Sequence, residues 1–438
     1  MHSIWTLSSG EGSLEAFSIR YCTACFASLS QTGLLLALLS LGTICLLYYL
    51  SRPLNLISDL TGAKGDKYFK LPAKNDAMAK EHLKGRLQRK SGKSIPIYPN
   101  GWFGILGSSE IGHNEVKYVM ALGKNVAVFR MSDGTAQVVN TCCPHLRLNM
   151  DLAGTTKTYI ECPSHGWQLD GDTKKWNNIQ GGKKVPDLAE VQTLRSVEVN
   201  HIIFLWYHAD GEEPSYEIQP LKETTSEGCM YVGRFECSID AHIEDMLLNV
   251  ADNEHLDALH VSKMGLVGAD LDGFWSKWLS PLAHVTPKSS WEPDADNPHV
   301  SWSRFEILVK LFKKVSFTNR KKFKHVGPGY IEVTASLAKG KAYGTLCVTP
   351  IGPLTVRTTL RLYGRPSHIL NGRFILRIFR YTFEQDVSVW SYGKPRFQLN
   401  VVKEDDALVN FRRWYSQFYS KNSLSLDCEQ RNICERFK

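Results

Sequence analysis

The hydrophobic pattern changes rhythm along the chain, and each change marks an element. Gly33 to Leu50 reads GLLLALLSLGTICLLYYL, apolar on every face, inside an uncharged run from Tyr21 to Ser51. A helix needs about 20 mainly apolar residues to cross a bilayer, so this run predicts a transmembrane helix. From Ile95 the texture becomes short segments rich in Val, Ile, Phe and Tyr, such as Asn125 to Met131 and Ile202 to His208. Turn signals at Ser132-Asp133-Gly134 and Asp170-Gly171-Asp172 separate them, which predicts small antiparallel strands. After Pro214, Met246, Leu247, Val250, Leu256 and Leu259 recur at helical spacing, predicting a helix through a histidine-rich stretch. Alternation returns between about His299 and Tyr363, in YIEVTASL and TVRTTLRLYG, and two helical segments close the chain near 375–392 and 403–419.

These rhythms predict an α+β protein: a tail at 1–32, a transmembrane anchor at 33–50, a linker at 51–94 and an all-β domain at 95–215. An α+β domain at 216–425 follows, with an antiparallel sheet and C-terminal helices, and then a tail at 426–438. With 43% apolar and 11% aromatic residues, 438 residues can fill more than one core, which excludes a disordered chain.

Charge changes the picture at one place. The formal net charge is +8, and residues 52–93 hold eleven Lys or Arg against four acids. Basic residues just after a span favour the cytoplasmic side. A cleaved signal peptide would carry its charge before the apolar core, where Arg20 stands alone. A single-pass anchor with a cytosolic catalytic part is the expectation. Lys80, Lys84, Arg86, Arg89, Lys90 and Lys93 lack interleaved aromatics, so nucleic acid is excluded in favour of anionic lipid headgroups. Eleven cysteines at irregular spacing offer no disulfide framework and point to a reducing compartment.

Within the first β domain, Cys143-Pro144-His145 is followed after sixteen residues by Cys162-Pro163-Ser164-His165, giving C-x-H-x16-C-x2-H. Structural zinc loops usually pair like with like. Here each arm supplies one Cys and one His, as two arms gripping a two-iron cluster require, and neutral imidazoles on one iron raise its potential. Residues 249–260 read NVADNEHLDALH. Asp252 and His255 are three apart and share a helix face, whereas His260 lies about 140° away on an ideal helix. His255 and His260 reach one metal only if the helix is irregular, and a pair of surface histidines is the alternative. Two histidines and one carboxylate form the facial triad of non-haem Fe(II) oxygenases.

The two motifs together resemble the Rieske non-haem iron oxygenases over residues 95 to about 420. The match is close in N-x-x-D-x2-H-x4-H and departs at Arg147-Leu148, where the family carries a small Gly-Ala pair. The resemblance implies a [2Fe-2S] cluster on Cys143, His145, Cys162 and His165, and a mononuclear iron on His255, His260 and Asp386, with Glu384, Asp405 and Asp406 as competitors for the third place. It gives Asp252 the role of an electron bridge to a neighbouring subunit's cluster, hence a homo-oligomer, a trimer in the family. An anchor ahead of this layout is similar to the Neverland group of cholesterol 7-desaturases. That similarity implies a sterol substrate, dioxygen, electrons from NAD(P)H through a reductase, and residence in the endoplasmic reticulum. A steroid hydroxylase is the alternative, since it needs the same ligands. The Rieske subunit of respiratory complexes also has an N-terminal helix, but it places a further cysteine in each arm, where this chain has Ser164 and none from Arg147 to Asp151. A non-catalytic lipid-binding protein would not depend on His255 or His260.

Overall fold

A computed structural model of the chain describes residues 31–61, 96–113, 115–141, 143, 155–156, 159–162, 165–170, 176–178, 193–226, 228–252, 283–311, 314–337, 340–392 and 406–425. The chain falls into two compact units, Met1–Pro53 and Leu54–Lys438.

The first unit holds helix α1, Gln31–Ser51. Its 21 residues reach about 30 Å at 1.5 Å each, the thickness of a bilayer's hydrocarbon core. Leu36 and Ile44 keep 64% and 62% of their surface exposed, so the helix presents apolar side chains to its surroundings. Its few polar groups are satisfied internally: Ser40 Oγ donates to the Leu36 carbonyl at 2.7 Å and Thr43 Oγ1 to that of Leu39 at 2.8 Å. The helix is long and apolar enough to span a membrane.

The second unit is organised by an eight-stranded sheet. Its strands are β1 (Leu54–Leu60), β13 (Met230–Ile239) and the run β14 to β19: Ala283–Pro293, Val300–Leu311, Lys314–Val326, Tyr330–Leu337, Gly340–Gly352 and Thr355–Gly364. The spatial order is β1-β13-β19-β18-β17-β16-β15-β14, an antiparallel meander from β14 to β19 with β13 beside β19. Strand β1 lies parallel to β13 at the edge, with Leu54 opposite Gly233. The stretch expected to be linker thus begins with a strand of the catalytic sheet. Its cause is legible afterwards: Leu54, Leu56 and Leu60 alternate with Asn55 and Asp59 at strand period, a pattern outweighed by the basic charge around it.

Helix α2 (Lys222–Thr225) precedes β13, α3 (Ile243–Leu248) follows it, and α4 (Ile369–Tyr392) and α5 (Asp406–Tyr415) close the chain. Helix α4 packs on β13, β19 and β1, α5 on β14, and α3 meets β18 and α5. Ile375, Phe379, Phe383, Val387 and Trp390 recur three to four residues apart and turn into the core. Phe379 and Phe383 stack edge-on against Phe235 of β13, with centroids 5.8 and 5.5 Å away. Gly372 permits the close approach, since a Cβ there would stand 2.8 Å from Val232 Cγ1.

The all-β region forms three small sheets. One has the order β10-β5-β4-β3, built from β3 (Val116–Ala121), β4 (Lys124–Arg130), β5 (Ala136–Asn140) and β10 (Thr193–Leu194). A second has the order β11-β12-β2, from β2 (Gly101–Gly107), β11 (Ser196–Val199) and β12 (Ile202–Tyr207). The third runs β6-β7-β8-β9 through Thr155–Thr156, Tyr159–Glu161, Trp167–Asp170 and Trp176–Asn178. Strand β2 fastens this region to the large sheet. Thr349 Oγ1 donates to the Gly104 carbonyl at 2.7 Å, and Arg357 Nη2 to that of Ile105 at 2.9 Å. Just after β2, Glu110 accepts from Arg361 at 2.8 Å and pairs with Arg234 at 2.5 Å. Burial alone would raise the Glu110 carboxyl; the hydrogen bonds and charges of the two guanidiniums outweigh it and hold it below the usual range.

Candidate metal centres

The first arm of the C-x-H motif leaves β5. Thr141 Oγ1 donates to the Asn125 carbonyl of β4 at 2.8 Å, fixing the exit, and Cys143 follows with 1% of its surface exposed. The second arm is the turn between β7 and β8, whose last pair is Glu161 with Gln168. Cys162 N–H donates to the Trp167 carbonyl at 2.7 Å, and Gly166 N–H to that of Cys162 at 3.0 Å. Gly166 sits at φ +65°, where any other residue would be strained. That turn buries Cys162 at 1% exposure and leaves His165 exposed.

Cys143 and Cys162 join one apolar cluster with Val116, Ala127, Phe129, Val139 and Leu169. The structure therefore brings together the two thiols that come from different sheets, and neither forms a disulfide. Two buried thiols and an exposed imidazole on these two arms fit the donor set that a [2Fe-2S] cluster with cysteine and histidine ligands would take. His145, and Arg147 after it, lie outside the described residues.

The second motif begins at α3. His242 caps that helix: its Nδ1 accepts from Glu244 N–H at 3.3 Å, and its Nε2 meets the Pro96 carbonyl at 3.0 Å. One tautomer, with the proton on Nε2, satisfies both contacts. Helix α3 ends at Leu248, and the rest of the helix expected through the histidines lies outside the described residues. Val250 and Ala251 donate to the carbonyls of Leu247 and Leu248, and Asp252 to that of Asn249, all three residues back. Such tightening ends an α-helix. Asp252 is half-buried at this turn, and His255 and His260 lie outside the described residues.

The carboxylate candidates differ in their surroundings. Glu384 and Asp386 are both buried on α4, at 8% and 7% exposure, but two positions apart they face opposite ways. Glu384 Oε1 accepts from Arg380 Nε at 2.7 Å, one turn earlier. Asp386 shares its side of the helix with Phe383 and Trp390, whose rings lie 4.9 Å apart in the core. Asp406 is exposed in the first turn of α5, where a carboxylate complements the helix dipole. Asp405 lies outside the described residues. Among the described residues no three His, Cys, Asp or Glu gather as a metal site.

Sequence reasoning missed two supporting residues here, His242 and Glu244. Glu244 is pushed up to about 7 by burial, against the lowering charge of Arg412, which lies 3.6 Å away. No local motif marks either, because Pro96 and Arg412 are remote in sequence.

Comparison with known proteins covers both halves. Residues 101–192 match the Rieske [2Fe-2S] domain, and residues 205–419 match the 3-ketosteroid 9α-hydroxylase C-terminal domain. A cholesterol 7-desaturase of Xenopus laevis is 34% identical over 93% of this chain and 89% of its own length. One of Hemicentrotus pulcherrimus is 34% identical over 90% of this chain and 84% of its own. Among solved structures, dicamba monooxygenase bound to dicamba superposes with a TM-score of 0.56 at 13% identity, over 74% of this chain and 98% of that one. That likeness establishes the fold, a Rieske β domain followed by an α+β domain.

Proposed function

This chain belongs to the cholesterol 7-desaturases, oxidoreductases of the Rieske oxygenase class, and from that premise we propose that it desaturates a membrane-borne sterol, converting cholesterol to 7-dehydrocholesterol. The observation that carries this reading is the 34% identity with the Xenopus laevis desaturase over 93% of the chain. Cys143, His145, Cys162 and His165 would hold the [2Fe-2S] cluster, and His255, His260 and Asp386 the mononuclear iron. When bound, these groups carry single electrons and activate dioxygen.

The chain's own residues do the rest. Cys143 and Cys162 keep the cluster site dry, while exposed His165 gives electrons a way out. Asp252, at the turn after α3, acts by family resemblance as an electron bridge to a neighbouring subunit, so the working form is a homo-oligomer, a trimer in the family. Asp386 offers its carboxylate from a helix fixed in the core, which holds the third ligand position without a mobile loop. A reductase drawing on NAD(P)H supplies the electrons. Helix α1 anchors the chain in the endoplasmic reticulum membrane with the catalytic unit in the cytosol, near a substrate that partitions into lipid.

A second reading, a steroid hydroxylase, is favoured by the match of residues 205–419 to the 3-ketosteroid 9α-hydroxylase domain. The full chain in microsomes, supplied with a reductase, NAD(P)H and cholesterol, tests both. Turnover that needs oxygen and survives a carbonate wash supports the proposal. Sterol conversion unaffected by His255→Ala, or no conversion of any steroid, contradicts it.

A further inference from the structure

One end of the eight-stranded sheet collects features that the desaturation chemistry leaves unused. Strand pairing puts Leu54 of β1 opposite Gly233, Met230 of β13 opposite Gly364, and Tyr343 of β18 opposite Tyr363. The start of β1, the start of β13, the start of β18 and the end of β19 therefore share one edge of the unit. A cavity of about 820 Å³ opens there, lined by Lys222, Lys341, Arg365 and His368 against a single acid, Glu223. His368 is 93% buried, and its Nδ1 has no hydrogen-bond partner among the described residues. Helix α4 begins at the same place and carries two of the unit's large exposed apolar side chains, Leu370 at 62% and Phe374 at 43%. Four residues apart, they share one face. Exposed Arg377 follows, and Glu384 is the first acid of the helix.

Exposed apolar residues beside clustered cations suit the interface of an anionic bilayer, where headgroup phosphates meet basic side chains and acyl chains meet apolar ones. Chain length makes the match specific. Only Arg52 and Pro53 separate Ser51, the last residue of α1, from Leu54, the first of β1. That link reaches no more than about 10 Å whichever way the span points.

We propose that this end of the sheet, Lys222, Lys341, Arg365, Leu370 and Phe374, docks on the anionic lipid surface of the membrane that holds α1. The inference rests on the anchor reading of α1. It gives the catalytic unit a fixed face toward the bilayer rather than a free swing on a tether.

Hydrogen exchange of the full chain in nanodiscs tests it. In discs with about 30% phosphatidylserine, residues 340–343 and 363–378 are expected to exchange more slowly than in phosphatidylcholine discs, with the difference lost near 0.5 M salt. Charge reversal at exposed Lys222, Lys341 or Arg365 is expected to weaken the docked state about fivefold each, and the triple variant to match phosphatidylcholine while staying in the disc. Equal exchange in both discs, by protein that resists carbonate extraction, overturns the docking and leaves the anchor standing. Release of the wild type by carbonate overturns the anchor reading and the docking with it.

Discussion

Cys143 and Cys162 stand on loops between strands of two to five residues, whereas Asp252 and Asp386 stand at helices packed over strands of ten to thirteen. The first site is made by loops that the chain closes locally and seals with a small apolar cluster. Asp252 and Asp386 come from distant parts of the sequence, on segments that the large sheet supports: α3 meets β18, and α4 packs on β13 and β19. The comparison teaches where each site is fragile. The two thiols depend on their turns, while Asp252 and Asp386 depend on the large sheet and the helices packed over it.

The largest effects separate the two regions outright. Cys143→Ser or Cys162→Ser is expected to remove the cluster's paramagnetic signal on reduction and to cut turnover more than about a thousandfold, because losing a ligand exceeds the 10–100-fold typical of outer-shell changes. His255→Ala should keep that signal and lose turnover to the same extent. A variant that lost both together would show that the two sites do not fold independently.

Within the helical region, Asp386→Asn is expected to lower iron content and turnover more than about a hundredfold, while Glu384→Gln, which gives up only the contact with Arg380, stays within about threefold of wild type. The reverse ranking, read by metal analysis and product formation, would move the third ligand to Glu384. Asp252→Ala should keep both metals and still stop turnover. Normal activity there would remove the bridge between subunits.

Smaller effects probe the scaffold. Glu110→Gln leaves Arg234 and Arg361, at 16% and 8% side-chain exposure, without their carboxylate, and is expected to cost about 2 kcal/mol in denaturant unfolding. Glu244 acts with a definite sign. Burial raises its folded pKa to about 7 from the ordinary 4.5, so the folded state holds a proton that the unfolded chain releases. Its contribution to stability is full below pH 4.5 and is lost as pH rises through 7. Glu244→Gln should therefore flatten the pH dependence of the melting temperature between pH 4.5 and 7. An unchanged slope would assign that dependence elsewhere.

The cluster arms were legible in the sequence because all four donors lie within 23 residues and ligand spacing is local information. The α+β architecture and the closing helices were legible from periodicity. Strand β1 was not, since seven residues of alternation carry less weight than the charge run beside them, and parallel pairing with a strand far along the chain leaves no local mark. The end of α3 at Leu248 was hidden for a related reason: the apolar spacing runs on to Leu256 and Leu259, so periodicity marks no stop at Leu248. The surroundings of Glu384, Asp386 and Asp406 were not legible either, because only packing shows that the first two are buried and the third is exposed.

The proposed removal of two hydrogens from a sterol is read directly by mass spectrometry of the product formed from cholesterol by the full chain, a reductase and labelled dioxygen. A sterol lighter by two hydrogens is expected, with no label and the conjugated diene absorbance of 7-dehydrocholesterol. A sterol heavier by one labelled oxygen would contradict it.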